Sequence, residues 1–440
     1  MNAVSRAFAR ARDGDAPAAA SAPPKPKASK GGLELLFHTQ LEGDGLVDAV
    51  RSQQGLIAAA DVDGAVTFVD GADGRIRACH DVHDESPNTL AFTSNGTWLL
   101  HGSDDGNVRI VAPATGEVVH VHAVTEPAEA GKRPRCYAVD HLVALDDAAF
   151  VAAAGGLAHA CRHHPSAGGS RGSGSSGGSS SGGWQLEHAH SAGSPIRALC
   201  RAPLQWSEWA YAIAYQGGAR LVSKEGEAVR QLSTERVVKS LAGFGPWLAA
   251  ASYREGVVEL WNLATSVGDQ PTRTLRGYCG TEGSSLCWQT GGRSLAVGGT
   301  KAAIFDFTGE NPHHPYRKPG PAPIAGQPDL VPRICMANGG ERCAWSPRGG
   351  GGAAAERLAT VDKQGAVRLW QAHGAPLKKG GFGDVRQPQN MKPQFYTFVK
   401  GDAVHPAGEA VEPCALLWLR DDVVAVAYAT AEIVAWRVAV

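Results

Sequence analysis

Short runs of alternating apolar and polar residues, joined by turns that contain glycine, recur along most of the chain. The clearest case spans residues 248–263, where an apolar run is followed by a polar turn at Gly256 and an alternating run that ends on Trp261. Apolar side chains at every second position face one side of a strand, and a short polar turn joins two antiparallel strands. This segment is therefore predicted to be a β-hairpin.

The hairpin pattern recurs about eight times along the chain. Where no insertion intervenes, the copies lie roughly 40–45 residues apart, which is the period of a four-stranded propeller blade. Close copies span residues 56–69, 99–111 and 358–370, and looser copies end at Cys161, Val222, Phe305 and Trp436. Another apolar segment precedes each copy, as residues 88–92 and 284–288 illustrate. The 55 glycines and 26 prolines indicate many turns, which also favours an all-β class.

The repeats resemble those of WD-repeat β-propellers over about residues 33–440. The tryptophan that ends such a repeat is present at Trp261, Trp370 and Trp436, and elsewhere Val, Phe or Cys takes its place. The Gly-His pair that usually opens a repeat is missing from most copies, so the chain departs from the family in its internal hydrogen-bond network. The resemblance implies a single propeller of four-stranded antiparallel blades.

A narrower resemblance involves the runs at residues 248–253, 277–280, 286–288, 295–299 and 304–309. They are similar to a group of bacterial-type WD-repeat proteins of unassigned activity, some of which are associated with zinc homeostasis.

The two ends of the chain predict how the ring closes. The last repeat ends at Val440, immediately after Trp436, which leaves its blade without an outer strand, and residues 33–38 form a lone strand-like run. Pairing these two segments would close the ring and remove an exposed sheet edge. We therefore predict eight blades closed by an N-terminal strand. Seven blades is the alternative, because the copy that ends at Cys161 matches poorly.

Four segments depart from the repeat. Residues 1–32 are rich in Ala, Pro and Lys and are predicted to form a disordered tail, with an organelle transit peptide within residues 1–20 as the alternative. Three insertions interrupt the ring: a Ser/Gly-rich linker at 166–183, a Pro-rich segment at 310–329 and a basic, aromatic segment at 376–406.

Charge and cysteine usage narrow the function classes. Lys and Arg number 42 against 43 Asp and Glu, so the formal net charge of −1 provides no general attraction to nucleic acid or to a membrane. No run of about 18 apolar residues exists, so no transmembrane span is predicted. The nine cysteines are scattered, which fits reduced thiols and a cytoplasmic protein, with the nucleus as the alternative.

One group of histidines and a cysteine suggests a metal site. His159, Cys161 and His163 alternate along one strand and face the same side, and His188 and His190 alternate along the next. If these strands were neighbours in one blade, all five could converge on zinc, which accepts imidazole and thiolate ligands. The alternative interpretation is surface histidines beside a flexible loop and one half-buried cysteine.

The basic insertion at 376–406 suggests a partner-binding segment. Its cations interleave with aromatic rings, a combination used to bind single-stranded nucleic acid and also common at protein interfaces. The neutral overall charge favours protein docking. The candidate partner-binding residues are Phe382, Arg386, Phe395 and Tyr396.

The sequence favours a binding protein over an enzyme. It contains no phosphate-binding loop, nucleophile elbow or twelve-residue calcium loop. The WD-repeat resemblance implies a docking platform. The leading hypothesis is a non-catalytic interaction scaffold without a cofactor. The alternatives are a zinc-associated propeller that uses the five His and Cys residues, and an enzyme with a site in the central channel.

Overall fold

The fold consists of β-strands. The computed structural model describes residues 33–126, 135–165, 183–202, 209–252, 256–264, 268–275, 283–289, 294–299, 303–306, 334–335, 342–347, 357–372, 396–398, 403, 405–408 and 410–438. The strands in these ranges form eight antiparallel sheets of four strands each. Within the same ranges, no helix has the length and apolar character needed to cross a membrane.

The first four blades each contain four consecutive strands. Blade 1 consists of β2 (Leu46–Arg51), β3 (Leu56–Asp61), β4 (Ala65–Asp70) and β5 (Ile76–Asp81). Blade 2 consists of β6 (Pro87–Phe92), β7 (Leu99–Ser103), β8 (Asn107–Val111) and β9 (Val118–Ala123). Blade 3 consists of β10 (Val139–Ala144), β11 (Ala149–Ala154), β12 (Leu157–His164) and β13 (Gly183–Ser191). Blade 4 consists of β14 (Ala198–Arg201), β15 (Tyr211–Tyr215), β16 (Gly218–Val222) and β17 (Ala228–Ser233).

The next three blades follow the same order, and the eighth takes one strand from the start of the chain. Blade 5 consists of β18 (Val238–Phe244), β19 (Trp247–Ser252), β20 (Val258–Asn262) and β21 (Arg273–Leu275). Blade 6 consists of β22 (Gly283–Trp288), β23 (Ser294–Gly299), β24 (Ala303–Asp306) and β25 (Ile334–Cys335). Blade 7 consists of β26 (Arg342–Trp345), β27 (Arg357–Val361), β28 (Val367–Ala372) and β29 (Tyr396–Phe398). Blade 8 consists of β30 (Pro413–Arg420), β31 (Val423–Tyr428), β32 (Glu432–Val438) and β1 (Leu33–Gln40).

The first strand of each blade lies on the inside of a closed ring. Strand β2 contacts β6, β6 contacts β10, and the same contact continues through β14, β18, β22 and β26 to β30, which contacts β2. The blade count of eight is therefore confirmed, and seven is excluded. The weak copy that ends at Cys161 is a complete blade.

The N-terminal strand closes the ring as predicted. Strand β1 pairs antiparallel with β32, with Leu33 opposite Val438 and Gln40 opposite Glu432. Leu33 and Phe37 of β1 are buried against blades 7 and 1. Blade 8 consequently has an outer strand drawn from the opposite end of the chain, and the edge of β32 is covered.

The burial of the strands explains their composition. Every residue of β11 and β31 is buried, because the second strand of a blade is covered on both faces by neighbouring blades. Such strands are continuous runs rich in alanine and valine, whereas the outer strand β9 alternates between half-buried and exposed residues. Trp261 of β20 is fully buried between blades 4 and 5, and its Nε1 donates to the carbonyl of Asp269 at 3.0 Å.

The turn between the second and third strands of a blade requires a left-handed backbone. In blade 1 this position is Gly64, with φ of 90°, and a Cβ there would lie 2.3 Å from the carbonyl oxygen of His83. In blade 8 it is Ala431, which at φ of 60° is the one non-glycine residue with positive φ among those described. Only glycine adopts this conformation without steric strain.

The structure corrects one boundary of the predicted insertions. The insertion predicted at 166–183, except for Gly183, that at 310–329 and most of that at 376–406 lie outside the described residues, as does the predicted tail at 1–32. Residues 396–398, however, form β29, which pairs with β28 as the outer strand of blade 7. The inserted loop of blade 7 therefore ends before Tyr396. Three residues are too short for a period-two pattern to separate this strand from the flanking loop.

Candidate functional site

The inner strands enclose a cavity at the end of the channel where these strands finish. Its volume is about 520 Å³, and its lining comes from blades 1, 2, 3, 4, 7 and 8. The lining combines the guanidinium groups of Arg51 and Arg201 with the rings of Phe92, Trp345 and Trp418. We refer to this end of the channel as the mouth, and to the corresponding side of the ring as the mouth face.

One position of the inner strand recurs around the mouth. It is the last residue of β2, β6, β10, β14, β22 and β26, and it is occupied by Arg51, Phe92, Ala144, Arg201, Trp288 and Trp345. Trp418 takes the equivalent place in β30, before a register shift. At this position the aromatic residues come from blades 2, 6, 7 and 8, and the two arginines come from blades 1 and 4.

The aromatic residues link the inner strands by hydrogen bonds. Each indole Nε1 donates to a carbonyl in the inner strand of the preceding blade, and Arg51 extends the series through Nη1. The pairs are Trp288 with Ala242 (3.1 Å), Trp345 with Cys287 (3.1 Å), Trp418 with Ala344 (2.8 Å) and Arg51 with Trp418 (2.8 Å). These bonds satisfy the polar indole nitrogens and fix the rings, so the aromatic wall is held in place before any ligand arrives.

Arg51 retains unused hydrogen-bonding capacity. Its Nε is buried and has no hydrogen-bond partner in the described part of the chain. Burial lowers the pKa of Arg51, while the charge of Asp421 opposes that change. A buried N–H without a partner costs free energy. A ligand that brings an acceptor oxygen to this atom would recover that cost, and the exposed Arg201 adds a second cation at the same mouth.

A carboxyl group lies on the same inner strand, three residues before Arg51. Asp48 accepts hydrogen bonds from the backbone N–H groups of Ala49 at 2.9 Å and Leu90 at 3.0 Å. Burial raises the pKa of Asp48 from 3.8 to about 6, although those bonds and the charge of Arg342 oppose the shift. Burial therefore places the pKa of this inner-strand carboxyl above the usual range of aspartate.

The internal hydrogen-bond network of the repeat survives in altered form in blade 2. His83 precedes the inner strand, and its Nδ1 lies 3.5 Å from Oδ2 of Asp105 in the turn between β7 and β8. Arg109 donates to the same oxygen at 2.6 Å. Burial raises the pKa of Asp105, but the bonds from Arg109 and Asn107 outweigh it and lower the pKa to about 2. This cluster packs within the blade and is structural.

The five residues predicted to bind zinc do not share a face. Strands β12 and β13 are neighbours in blade 3, as the hypothesis requires, but His159 lies opposite Ala189 while His188 lies opposite Ala160. Directly opposed residues point to the same side of a sheet, so His159 and His188 point to opposite sides. The spacing along each strand shows which residues of that strand share a side. The pairing of β12 with β13 places the β12 group and the β13 group on opposite sides of the sheet.

Each of the five residues has a local packing environment. His159 Nδ1 lies 3.0 Å from Nε2 of His122 in blade 2, Cys161 is buried in the same interface, and His163 packs on the ring of Trp184. On the other side, His188 contacts the carbonyl of Lys224 and His190 packs on Tyr211. Burial raises the pKa of Cys161 to about 12, which disfavours the thiolate that zinc would need.

The residues predicted to bind a partner fall almost entirely outside the described chain. Phe382, Arg386 and Phe395 are among the residues that are not described. Tyr396 begins β29, with its Cα opposite that of Ala372 in β28.

The strand ends that flank the three insertions lie on the mouth face. Each insertion joins the third and fourth strands of its blade: β12 to β13, β24 to β25, and β28 to β29. Because neighbouring strands are antiparallel, the third strand ends at the same side of the blade as the first. The described strand ends that flank the three insertions therefore lie on the same side of the ring as the cavity.

The mouth residues were not identified from the sequence, although a signal was present. The apolar segments at 88–92 and 284–288 end on Phe92 and Trp288, and aligning them with the other inner strands places Arg51 and Arg201 in the same column. The mixture of arginine and aromatic residues at one repeated position was the signal. It becomes visible only when the inner strands are compared with one another.

Comparison with known proteins agrees with this architecture. A model of the WD domain, G-beta repeat, matches residues 71–111, which include β5 to β8. The fold is similar to the crystal structure of the computationally designed Ika8 protein, with a TM-score of 0.60 and 15% identity, covering 90% of this chain and 98% of that chain. No curated protein matches the sequence. The chain therefore folds as a β-propeller of eight four-stranded blades, and one of its repeats matches the WD domain, G-beta repeat.

Proposed function

We propose that the protein is a non-catalytic scaffold that binds other proteins through its mouth face. The observation that supports this proposal most directly is that the flanks of all three insertions and the arginine–aromatic cavity lie on one side of the ring. Arginine and tryptophan are enriched among the residues that dominate binding energy at protein interfaces. A rigid ring would hold such residues in fixed positions.

The chemistry of the mouth favours a particular kind of peptide. Arg51 and Arg201 would pair with a carboxylate, and the unpartnered Nε of Arg51 offers one N–H for it. Phe92 and Trp345 would receive an adjacent apolar side chain. The proposed ligand is a protein segment in which an acidic side chain, or a C-terminal carboxylate, follows an apolar residue.

The insertion of blade 7 would provide a second contact. It leaves β28 and enters β29 on the mouth face, and it carries Phe382, Arg386 and Phe395 before Tyr396. We propose that these residues bind the same partner outside the cavity. The expected location in the cytoplasm or nucleus stays a prediction.

Affinity purification of the full-length protein from its own cells tests the proposal. The tagged wild type is compared with the Arg51→Gln/Arg201→Gln double variant and with a deletion of residues 380–394, which keeps β29 intact. Arg77→Gln, an exposed arginine on outer strand β5, is the matched control. The proposal expects partners to be lost from the two mouth-face variants and retained by the control. An identical partner set from all four proteins, with unchanged circular dichroism, would refute it.

A further inference from the structure

Three side chains with metal-binding chemistry meet where the ring closes, on the side opposite the mouth. His38 comes from β1, Glu432 begins β32, and His405 lies in the segment that leads to β30. One ligand atom from each lies within 4.8 Å of the other two. His38 and Glu432 are 394 residues apart in sequence, so the cluster exists only when the N-terminal strand is in place.

The carboxylate of Glu432 stands between the two imidazoles. Oε1 is 2.9 Å from Nε2 of His38, and Oε2 is 3.0 Å from Nε2 of His405. The His405 side chain is only 2% exposed and that of Glu432 12%, while 28% of the His38 side chain is exposed. The cluster is thus largely buried, with His38 forming its open edge.

The Nε2 atom of His405 lies in this cluster without a hydrogen-bond partner among the described residues. It is buried and, despite the short distance to Glu432, forms no hydrogen bond with suitable geometry in the described part of the chain. The ring is held in position by an edge contact with Tyr428, at 4.8 Å between centroids. This nitrogen is therefore buried, lies near two other ligand atoms and has no hydrogen bond, which is an arrangement suited to binding a metal ion.

We propose that His38, His405 and Glu432 bind one divalent transition-metal cation, for which zinc is the closest match. Two imidazole nitrogens and one carboxylate oxygen form a ligand set that zinc uses, with a fourth position left for water or another ligand.

Metal binding would require the three ligand atoms, which lie within 4.8 Å of one another, to move to tetrahedral spacing. Zinc–ligand distances of about 2.1 Å place tetrahedral ligands roughly 3.4 Å apart. The two histidine–carboxylate distances, 2.9 and 3.0 Å, must therefore lengthen by about half an ångström. Nδ1 of His405 accepts a long bond of 3.3 Å from the N–H of Ala407, which places the ring proton on Nε2. Metal binding would move that proton to Nδ1 and break this weak bond.

The proposed site would connect the two ends of the chain. The cation would hold β1 to β32 and to the segment before β30, and so reinforce the closure of the ring. Because the ligands come together only in the folded ring, the metal would bind the folded state and raise its thermal stability.

Zinc titration of metal-free, full-length protein tests the site. Isothermal calorimetry should give one zinc per chain, and zinc should raise the melting temperature of the wild type. His38→Ala and Glu432→Gln should each weaken binding by at least about tenfold, the lower limit for loss of a supporting residue around a metal. His188→Ala, on outer strand β13, is the matched control and should bind like the wild type.

Cobalt provides a second readout that does not depend on stability. Cobalt bound to nitrogen and oxygen ligands should show d–d absorption without a sulfur-to-metal charge-transfer band, and His38→Ala should abolish it. A charge-transfer band, or loss of binding in His188→Ala with binding retained in His38→Ala, would place the metal elsewhere and overturn the proposal. Absence of stoichiometric binding to the wild type would do the same. Each of these outcomes is independent of whether the mouth face binds proteins.

Discussion

Replacing Trp261 tests whether the repeated hairpin acts as the packing unit between blades. The indole is fully buried among residues of blades 4 and 5, and its Nε1 donates to the carbonyl of Asp269. Truncating a buried tryptophan to alanine costs about 3–5 kcal/mol in lost burial and cavity formation. Trp261→Phe keeps an aromatic ring but loses the hydrogen bond, which alone is worth about 0.5–1.5 kcal/mol.

Urea unfolding followed by far-ultraviolet circular dichroism measures these differences. The free energy of unfolding should fall by about 3–5 kcal/mol for Trp261→Ala and by about 1–2 kcal/mol for Trp261→Phe. Val229→Ala is the control, because Val229 is 47% exposed on outer strand β17 and its truncation should change stability by less than about 0.5 kcal/mol. If Trp261→Ala unfolded within that margin of the wild type, the assigned packing between blades 4 and 5 would be wrong.

Three further predictions concern ring closure, turn geometry and Asp48 of the inner strand β2. Phe37→Glu places a charge in the interface between blades 8 and 1 and should make β1 susceptible to limited proteolysis. Glu34→Gln, on the exposed face of β1, should not increase cleavage. Equal cleavage of both variants would contradict closure of the ring by β1. Gly64→Ala should lower the unfolding free energy by more than Gly55→Ala. Both glycines have φ near 90°, but only at Gly64 would a Cβ contact the backbone, 2.3 Å from a carbonyl oxygen. Equal losses of unfolding free energy would show that this clash is relieved. Asp48 has a folded-state pKa above its unfolded value, so its contribution to stability is lost as pH rises from about 4 to 6. Over that range the stability of Asp48→Asn relative to the wild type should improve by up to about 3 kcal/mol. A stability difference that does not depend on pH would refute the raised pKa.

The architecture was predictable because one local pattern is repeated. Each copy combines an apolar second strand, a turn that contains a glycine at positive φ in most of the described blades, and a third strand. A single blade cannot bury both faces of its second strand alone. The unpaired run at 33–38 then had one partner available at the other end of the chain, which is why closure through β1 was predicted correctly. The repeat is recognisable even where the tryptophan that ends it is replaced, since Cys161 and Val222 are buried at the position that Trp261 occupies in blade 5.

The sites were less predictable because they depend on relations between strands. His159 and His188 lie on strands that do pair, but the register that places them on opposite sides cannot be read from either strand alone. His38 and Glu432 meet across the closure of the ring, and neither has a metal-binding neighbour at a recognised spacing in sequence. Arg51 and Arg201 acquire significance only from their shared position at the mouth.

Site-specific photo-cross-linking at the mouth tests most directly whether this face binds proteins. A photo-reactive phenylalanine analogue is placed at Gln53, an exposed residue that lines the cavity, and in a second variant at Val229 on the outer rim. After irradiation in the native cells, the account predicts a discrete cross-linked protein from the Gln53 position, absent from the Val229 position and lost with Arg51→Gln/Arg201→Gln. The same cross-links from both positions, or none from Gln53 in folded protein, would contradict it.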